Sequence, residues 1–468
     1  MYFADLIFIY LFLPANLILY YLSKNNTYRN VVLLTFSLYF YAWGEPIWIS
    51  LLIISAVADY IHGLIIENHR GEKAAKLAVV SSIVINLGLL STFKYSGFVV
   101  GTVNSLLRTA FDAPSFALPV GISFYTFQTL SYTFDVYRGE VKAQRNLLNF
   151  LLFVSLYHQL VAGPIVRYSE IGDRIEKRHE SLAGISSGIN RFLIGLFKKC
   201  YVANLAGKLA EPYLATENIS GLTTVGAWFG IILFALQIYY DFSGYSDMAI
   251  GLGRMFGFDH PENFRYPYIS KSATEFWRRW HITLGAFFRD YVYIPLGGNR
   301  RFMVRNVLIT WFATGLWHGA SWNFVIWGLY YGILILIERL FLSKRLEKLP
   351  TFVSHMYFTV VMLIGWVFFT FTDLAAGFKY IGRMFFIGGS VCNMTSIIDI
   401  AGCIVWLAVS ILFCAPIVPK TASVWKDAPK ELQHKLIWIR PLFNIVVIFI
   451  CTTLLVGQSY NPFLYFRF

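Results

Sequence analysis

Apolar runs recur along the whole chain, separated by short polar stretches. Runs that approach the roughly 20 residues needed for a bilayer core predict spans at 2–21, 30–44, 47–66, 77–97, 117–135, 185–210, 222–252, 305–319, 322–343, 351–371, 397–416 and 437–456. Several of these are short, so they must tilt, kink or sit inside protein. The segment 147–163 is apolar but runs into Gly163-Pro164, which suits a re-entrant piece that does not cross. The pattern predicts an all-α polytopic membrane protein of roughly 11–12 transmembrane helices with re-entrant and interfacial helices. It reads as one integral membrane domain over 1–468, closing with a tail at 457–468. Met1 to Tyr21 lacks a basic leader and a small-residue cleavage site, so it reads as a retained first helix.

Composition agrees with the pattern and adds orientation. The chain is 57% hydrophobic and only 14% charged, with mean hydropathy +0.57, against about a quarter charged for a soluble domain. Lysine and arginine concentrate in the loops at 22–29, 67–76, 136–146, 164–184, 254–305, 344–348 and 420–435. Placing these in the cytoplasm gives a consistent alternation and puts both termini outside, provided 147–163 does not cross. The 373–396 loop, with Lys379 and Arg383, fits least well. The net charge of +13 suits loops facing an anionic leaflet and gives no reason to expect nucleic acid. The five cysteines show no metal-ligand spacing, and no metal site is expected. No internal repeat of the transporter kind is visible.

Against this background, polar residues inside the apolar runs stand out. His318 lies in Leu316-Trp317-His318-Gly319-Ala320-Ser321-Trp322, and no charge occurs between Arg305 and Glu338. An ionisable group at such depth is costly and therefore a functional candidate. Neutral histidine is a base suited to proton transfer. Gly315 and Gly319 allow close approach, and Ser321 and Asn323 are placed to hold the ring. A histidine packed between helices and donating to a carbonyl is the plainer alternative. Leu118 to Arg138 carries Ser123, Tyr125, Thr126, Gln128, Thr129, Ser131 and Tyr132 around most of a helix, which implies protein on all sides or a wet path.

Two further stretches carry charge. Gln237 to Asp247 holds Asp241 and Asp247, six apart and on different faces unless the helix breaks at Gly244. Arg278, Arg279 and His281 are the expected partners, and ion pairs that only hold the fold are the alternative. In Lys271 to Arg301, Phe276, Trp280, Leu284 and Phe287 recur at helical spacing with Arg278, Arg279 and Arg289 between them. This predicts an interfacial amphipathic helix starting at a Ser272–Glu275 capping box. It is either a membrane anchor or a basic mouth for an anionic donor, with Gly297-Gly298-Asn299 as a turn nearby.

Several stretches together resemble the membrane-bound O-acyltransferase (MBOAT) family. These are Leu118 to Gln128, Gly163-Pro164-Ile165-Val166-Arg167, Tyr240 to Asp247, Glu275-Phe276-Trp277-Arg278-Arg279-Trp280-His281, Tyr293 to Gly298 and Gly315 to Trp322. More narrowly they resemble the bacterial branch that O-acetylates extracytoplasmic polysaccharide, namely alginate, peptidoglycan and cellulose. The resemblance implies a helical bundle with a central funnel, a catalytic His318 and a second family histidine at His281. It also implies an acyl thioester donor, acetyl-CoA or an acyl carrier protein, with no bound cofactor. The acyl group would go to a periplasmic or surface SGNH-type partner. Trp317, Ser321 and Asn323, with Asp241, Asp247, Arg278 and Arg279, are candidates for contacts to substrate. The ending Phe463-Leu464-Tyr465-Phe466-Arg467-Phe468 resembles a tail of this branch and of a small D-alanylation peptide, in which the tyrosine is implicated as acyl carrier. The alternatives are D-alanyl transfer to teichoic acid and, in another class, a proton-coupled transporter.

Overall fold

The computed structural model describes residues 1–161, 163–417, 438–457 and 463–464, and among them the chain is helical, without strands. A first helix, Phe8–Tyr21, ends in α1 (Leu13–Tyr21) and leads to α2 (Asn26–Gly44) and α3 (Ile49–Asn68). α4 (Lys73–Leu90) continues through a π turn (Ser91–Tyr95) into α5 (Ser96–Leu107). α6 (Ile122–Arg138) is followed by the short α7 (Leu147–Ser155) and α8 (Tyr168–Glu176). α9 (Leu182–Phe197) runs through a second π turn (Lys198–Ala203) into α10 (Asn204–Leu214), and α11 (Thr224–Met255) follows. Then come α12 (Ala273–Trp277), α13 (Ile282–Phe288) with a π turn (Arg289–Tyr293), and α14 (Met303–His318). α15 (Trp322–Ile337) joins α16 (Ser343–Leu346) through a π turn at Glu338–Leu342. The described chain ends with α17 (Thr351–Thr370), α18 (Leu374–Met384), α19 (Met394–Leu412), α20 (Ile439–Val456) and the tail pair Phe463 and Leu464.

Each expected span falls on a helix. Seven of the described helices are long and apolar enough to cross a membrane, among them Lys73–Leu107 and Thr224–Met255. The other five, at the first helix Phe8–Tyr21 and at α2, α6, α9 and α14, are shorter or more polar. Their polarity is met inside protein. α6 buries 14 of its 17 residues, and its neighbours supply partners. Thr129 donates to Asn86 Oδ1, and Asn86 and Ser82 donate to Asp59, each at 2.6 Å. α7 is only nine residues, about 14 Å at 1.5 Å per residue, and ends in buried turns. It does not cross, in line with the re-entrant expectation.

Two apolar clusters share α11 as their common wall. Its Thr224 half gives Phe229, Phe234, Tyr239 and Phe242 to one, and its Met255 half gives Tyr245, Met248 and Leu252 to the other. α14 and α15 meet almost backbone to backbone. A Cβ at Gly328 would collide with the Trp311 carbonyl oxygen, and one at Gly315 with the Phe324 carbonyl oxygen. Backbone cannot rotate away, so Gly328→Ala should cost about 1–3 kcal/mol. Gly101→Ala, with nothing within 4 Å, should be neutral or slightly stabilising. Melting temperatures of the two detergent-purified variants check this.

Candidate active site

His318 is the last residue of α14 and is buried. The position falls between the two apolar clusters: Trp317 belongs to one and Trp327 to the other. Its ring meets Trp317, Trp327 and Phe369 edge to face at centroid distances of 5.0, 4.8 and 5.4 Å. Neither Nδ1 nor Nε2 has a hydrogen-bond partner among the described residues. Ser321 and Asn323 therefore do not hold the ring. Ser321 is the residue before α15, half-buried, and Asn323 Nδ2 donates to the Phe368 and Phe369 carbonyls at the end of α17.

The expected amphipathic helix over 271–301 is broken instead of continuous. The capping box forms at its start, with Ser272 Oγ accepting from the Glu275 amide, but the reciprocal bond goes to the Lys271 amide. Glu338, almost wholly buried, accepts from the Ala273 and Thr274 amides and reinforces that start. The helix ends at Trp277, and the chain then turns to His281, the residue before α13, whose backbone is left-handed at φ 44°. A non-glycine residue reaches that region only when its surroundings hold it there. Asn263 does so. Its Oδ1 accepts from the Thr283 amide and hydroxyl and lies 3.1 Å from His281 Nδ1, while its Nδ2 donates to the Gly163 carbonyl. Because Oδ1 is an acceptor, Nδ1 of His281 carries the proton and Nε2 is the basic nitrogen. Nε2 has no partner among the described residues.

The break divides the space around the site in two. A cleft of about 1130 Å³ is lined by Lys271, Arg278, Arg289 and Arg339, by Tyr293 and Asn299 from the Gly297 turn, and, at its inner end, by His281 and Thr314. Thr314 is one helical turn before His318. Beyond lies a small chamber of about 20 Å³, lined by Asp241, Trp280, His318, Trp327 and Leu464 among others. The His281 ring, 4.8 Å from Phe242 and 5.8 Å from Trp317, forms part of the wall between them. Arg278 faces the cleft and is exposed, whereas Arg279 is tied to Glu275 at 2.9 Å and to the Arg265 carbonyl. Asp290, beside Arg289, is held below the usual carboxylate range. Burial opposes this, but hydrogen bonds from Arg289 and Arg167 outweigh it.

The aspartates have other partners than those expected. Asp241 pairs with Lys199 at 2.6 Å, both nearly fully buried, and Asp247 pairs with Arg191 and Lys198, each at 2.6 Å. α11 does not break at Gly244; it is continuous, and all three cations come from α9 and the π turn that follows it. Asp247 is thus an ion-pair centre between helices, away from both cavities. The second oxygen of Asp241 accepts the Leu464 amide at 2.6 Å. Lys199 sits 4.6 Å over the Phe463 ring, and Tyr245 packs edge to face on that ring at 4.8 Å. Two residues of the tail are therefore seated in the core, Leu464 in the wall of the His318 chamber. Tyr465 lies outside the described residues. Sequence reasoning missed Lys199 and Asn263. Lys199 was legible as a cation within the apolar run 185–210, while nothing local marks Asn263.

The match to the MBOAT, membrane-bound O-acyltransferase family model spans residues 140–378. A probable alginate O-acetylase AlgI of Azotobacter vinelandii is 37% identical over the whole of both chains. The peptidoglycan O-acetyltransferase of Helicobacter pylori is 29% identical over 99% of this chain and 96% of its own length. The teichoic acid D-alanyltransferase of Bacillus subtilis is 28% identical over only 52% of this chain. The helical fold, its membrane-length helices and these matches define a multi-pass membrane acyltransferase. The chain belongs to the membrane-bound O-acyltransferase family and is an O-acyltransferase.

Removing one partner of the Lys199–Asp241 pair strands a buried charge. Asp241→Ala should cost about 3–5 kcal/mol, and the double variant Lys199→Met with Asp241→Leu markedly less. Thermal melts in one detergent check the order, and additive losses would contradict it.

Proposed function

We propose that this enzyme carries an acyl group, acetyl, from a cytoplasmic thioester across the membrane for O-acetylation of an extracytoplasmic polysaccharide. The observation that carries the reading is the common chamber: His318 shares its wall with Leu464, next to Tyr465, and the basic cleft reaches the other side of that wall at His281. The donor, acetyl-CoA or an acyl carrier, would lie in the cleft with its anionic part toward Lys271, Arg278, Arg289 and Arg339. On this reading the cleft faces the cytoplasm of the inner membrane, as the basic loops suggest, and both termini lie outside.

The chemistry needs a base, because a neutral hydroxyl attacks a thioester slowly. A positioned base typically contributes about 10²–10⁴-fold. His318, unpartnered among the described residues, takes the proton of the attacking hydroxyl, and the proton passes to the departing thiolate. The phenol of Tyr465 is the acceptor we favour. Its oxygen bonds to the acyl carbon as the carbon–sulfur bond breaks, and the acyl-tyrosine then hands its group to an SGNH-type partner outside. His281, whose Nε2 has no partner among the described residues, orients the thioester or shares the proton. The wall position of Trp317 suits it to exclude water. Asp241 acts by seating the tail, and Arg278 by meeting the donor.

Full-length similarity to alginate and peptidoglycan O-acetylating enzymes favours acetyl over D-alanyl transfer to teichoic acid, where similarity covers about half the chain. Family membership leaves a proton-coupled transporter with little support.

His318→Ala should abolish O-acylation of envelope polysaccharide at normal insertion, measured as alkali-released acetate per inserted molecule. Tyr465→Phe should do the same while sparing donor binding, and the wild type without its partner should accumulate an acyl adduct on the C-terminal peptide. Arg278→Glu should raise the apparent donor KM severalfold, by roughly the 1 kcal/mol or more of a lost charge contact. Wild-type acylation by well-inserted His318→Ala would refute the assignment of the base.

A further inference from the structure

The last four carbonyl groups of a helix have no partner within it. At the end of α14 these groups lie inside the protein, because His318 is buried and Gly319 leads off in extended backbone at φ −169°. Two of them are met by neighbouring side chains from a distant part of the chain. Tyr95 Oη donates to the Leu316 carbonyl at 2.7 Å, and Lys94 Nζ donates to the Trp317 carbonyl at 2.5 Å. Lys94 also reaches Ser123 Oγ on α6 at 3.3 Å. Both residues sit on the π turn Ser91–Tyr95 between α4 and α5. This is an odd place for a lysine. The run around it is otherwise uncharged, and an ammonium at membrane depth is expensive unless it has a role. A cation at a helix C-terminus is also favoured by the helix dipole.

His281 shows how a reactive imidazole is ordinarily aimed, by a hydrogen bond from its second nitrogen. His318 has no such bond among the described residues. Its ring direction follows only from its aromatic walls and from where its backbone is held. The two carbonyls gripped by Tyr95 and Lys94 belong to the two residues immediately before it.

We infer that Lys94 and Tyr95 are positioning residues for the acyl transfer: by clamping the Leu316 and Trp317 carbonyls they fix the last turn of α14 and so aim the His318 imidazole. This rests on the reading of His318 as the base. Neither residue touches the donor cleft or the chamber, so the inference concerns turnover and leaves donor binding alone.

The test compares Lys94→Met, Lys94→Arg, Tyr95→Phe and His318→Ala in the full-length protein. Inserted amount and melting temperature are measured for each, with kcat and KM from thiol release using acetyl-CoA as the donor probe, and polysaccharide-bound acetate per inserted molecule in cells. A misplacement of about 1 Å at a reacting group costs up to about 10²-fold. Lys94→Met should therefore lower kcat about 10- to 100-fold with KM little changed, Lys94→Arg should recover part of the loss, and Tyr95→Phe should lower kcat severalfold. Tyr95→Phe removes a single hydroxyl and decides the matter if Lys94→Met does not insert. Wild-type turnover per inserted molecule in Tyr95→Phe and in any inserted Lys94→Met, beside an inactive His318→Ala, would overturn the inference. Full activity of His318→Ala would instead overturn the reading on which it rests.

Discussion

The contact between α14 and α15 at Gly315 and Gly328 sets the dimensions of the site. With no side chain on either face, the two helices approach until a carbonyl of each lies where the other's Cβ would be. That closeness brings Trp327 against the His318 ring and places Asn323 on the carbonyls at the end of α17. Phe369, the next wall, is one of the residues whose carbonyl Asn323 holds. The catalytic candidate is thus enclosed by shape, and among the described residues no hydrogen bond reaches its ring. A larger residue at either glycine would open the wall as well as strain the helices.

Burial of charge is the second constraint, and here each ion has a named answer. Asp241 has Lys199 and the Leu464 amide, Asp247 has Arg191 and Lys198, Asp59 has Ser82, Asn86 and His62. Such pairs are weak evidence of stability, since taking two charges out of water consumes most of their attraction. Their effect is specificity. The Asp241 carboxylate joins α11, the π turn after α9 and Leu464 of the tail at one point.

The fold was legible because apolar runs of bilayer length leave few options for a backbone that must satisfy itself. Twelve runs became helices, and the Gly163-Pro164 signal marked a segment that turns back. Of the candidate site, the two histidines were visible as polar residues in apolar surroundings, and the structure buries both, His281 at the cleft and His318 at the chamber. What escaped was relational. The break at His281 depends on Asn263, eighteen residues away, so helical periodicity ran straight through it. The aspartates were matched to arginines on the next polar loop because the cations inside the run 185–210, like Lys94 inside 77–97, were read as part of the spans. Lys94, Lys198 and Lys199 were visible there as exceptions to the apolar pattern. The same depth argument that singled out His318 applies to them.

Four of the described π turns carry the polar residues that tie this bundle together: Lys94 and Tyr95, Lys198 and Lys199, Asp290 and Tyr291, and Glu338. A π turn holds one residue more than regular helix, which rotates everything after it by about 100° relative to an uninterrupted rod. Each of these side chains is therefore aimed by a count of residues as much as by its identity. In most of a membrane helix, chemically similar substitutions are tolerated and small slips are absorbed by tilt. At these four places the chain length itself is part of the site, and homologous enzymes that keep the geometry must keep the spacing even where they change the letters.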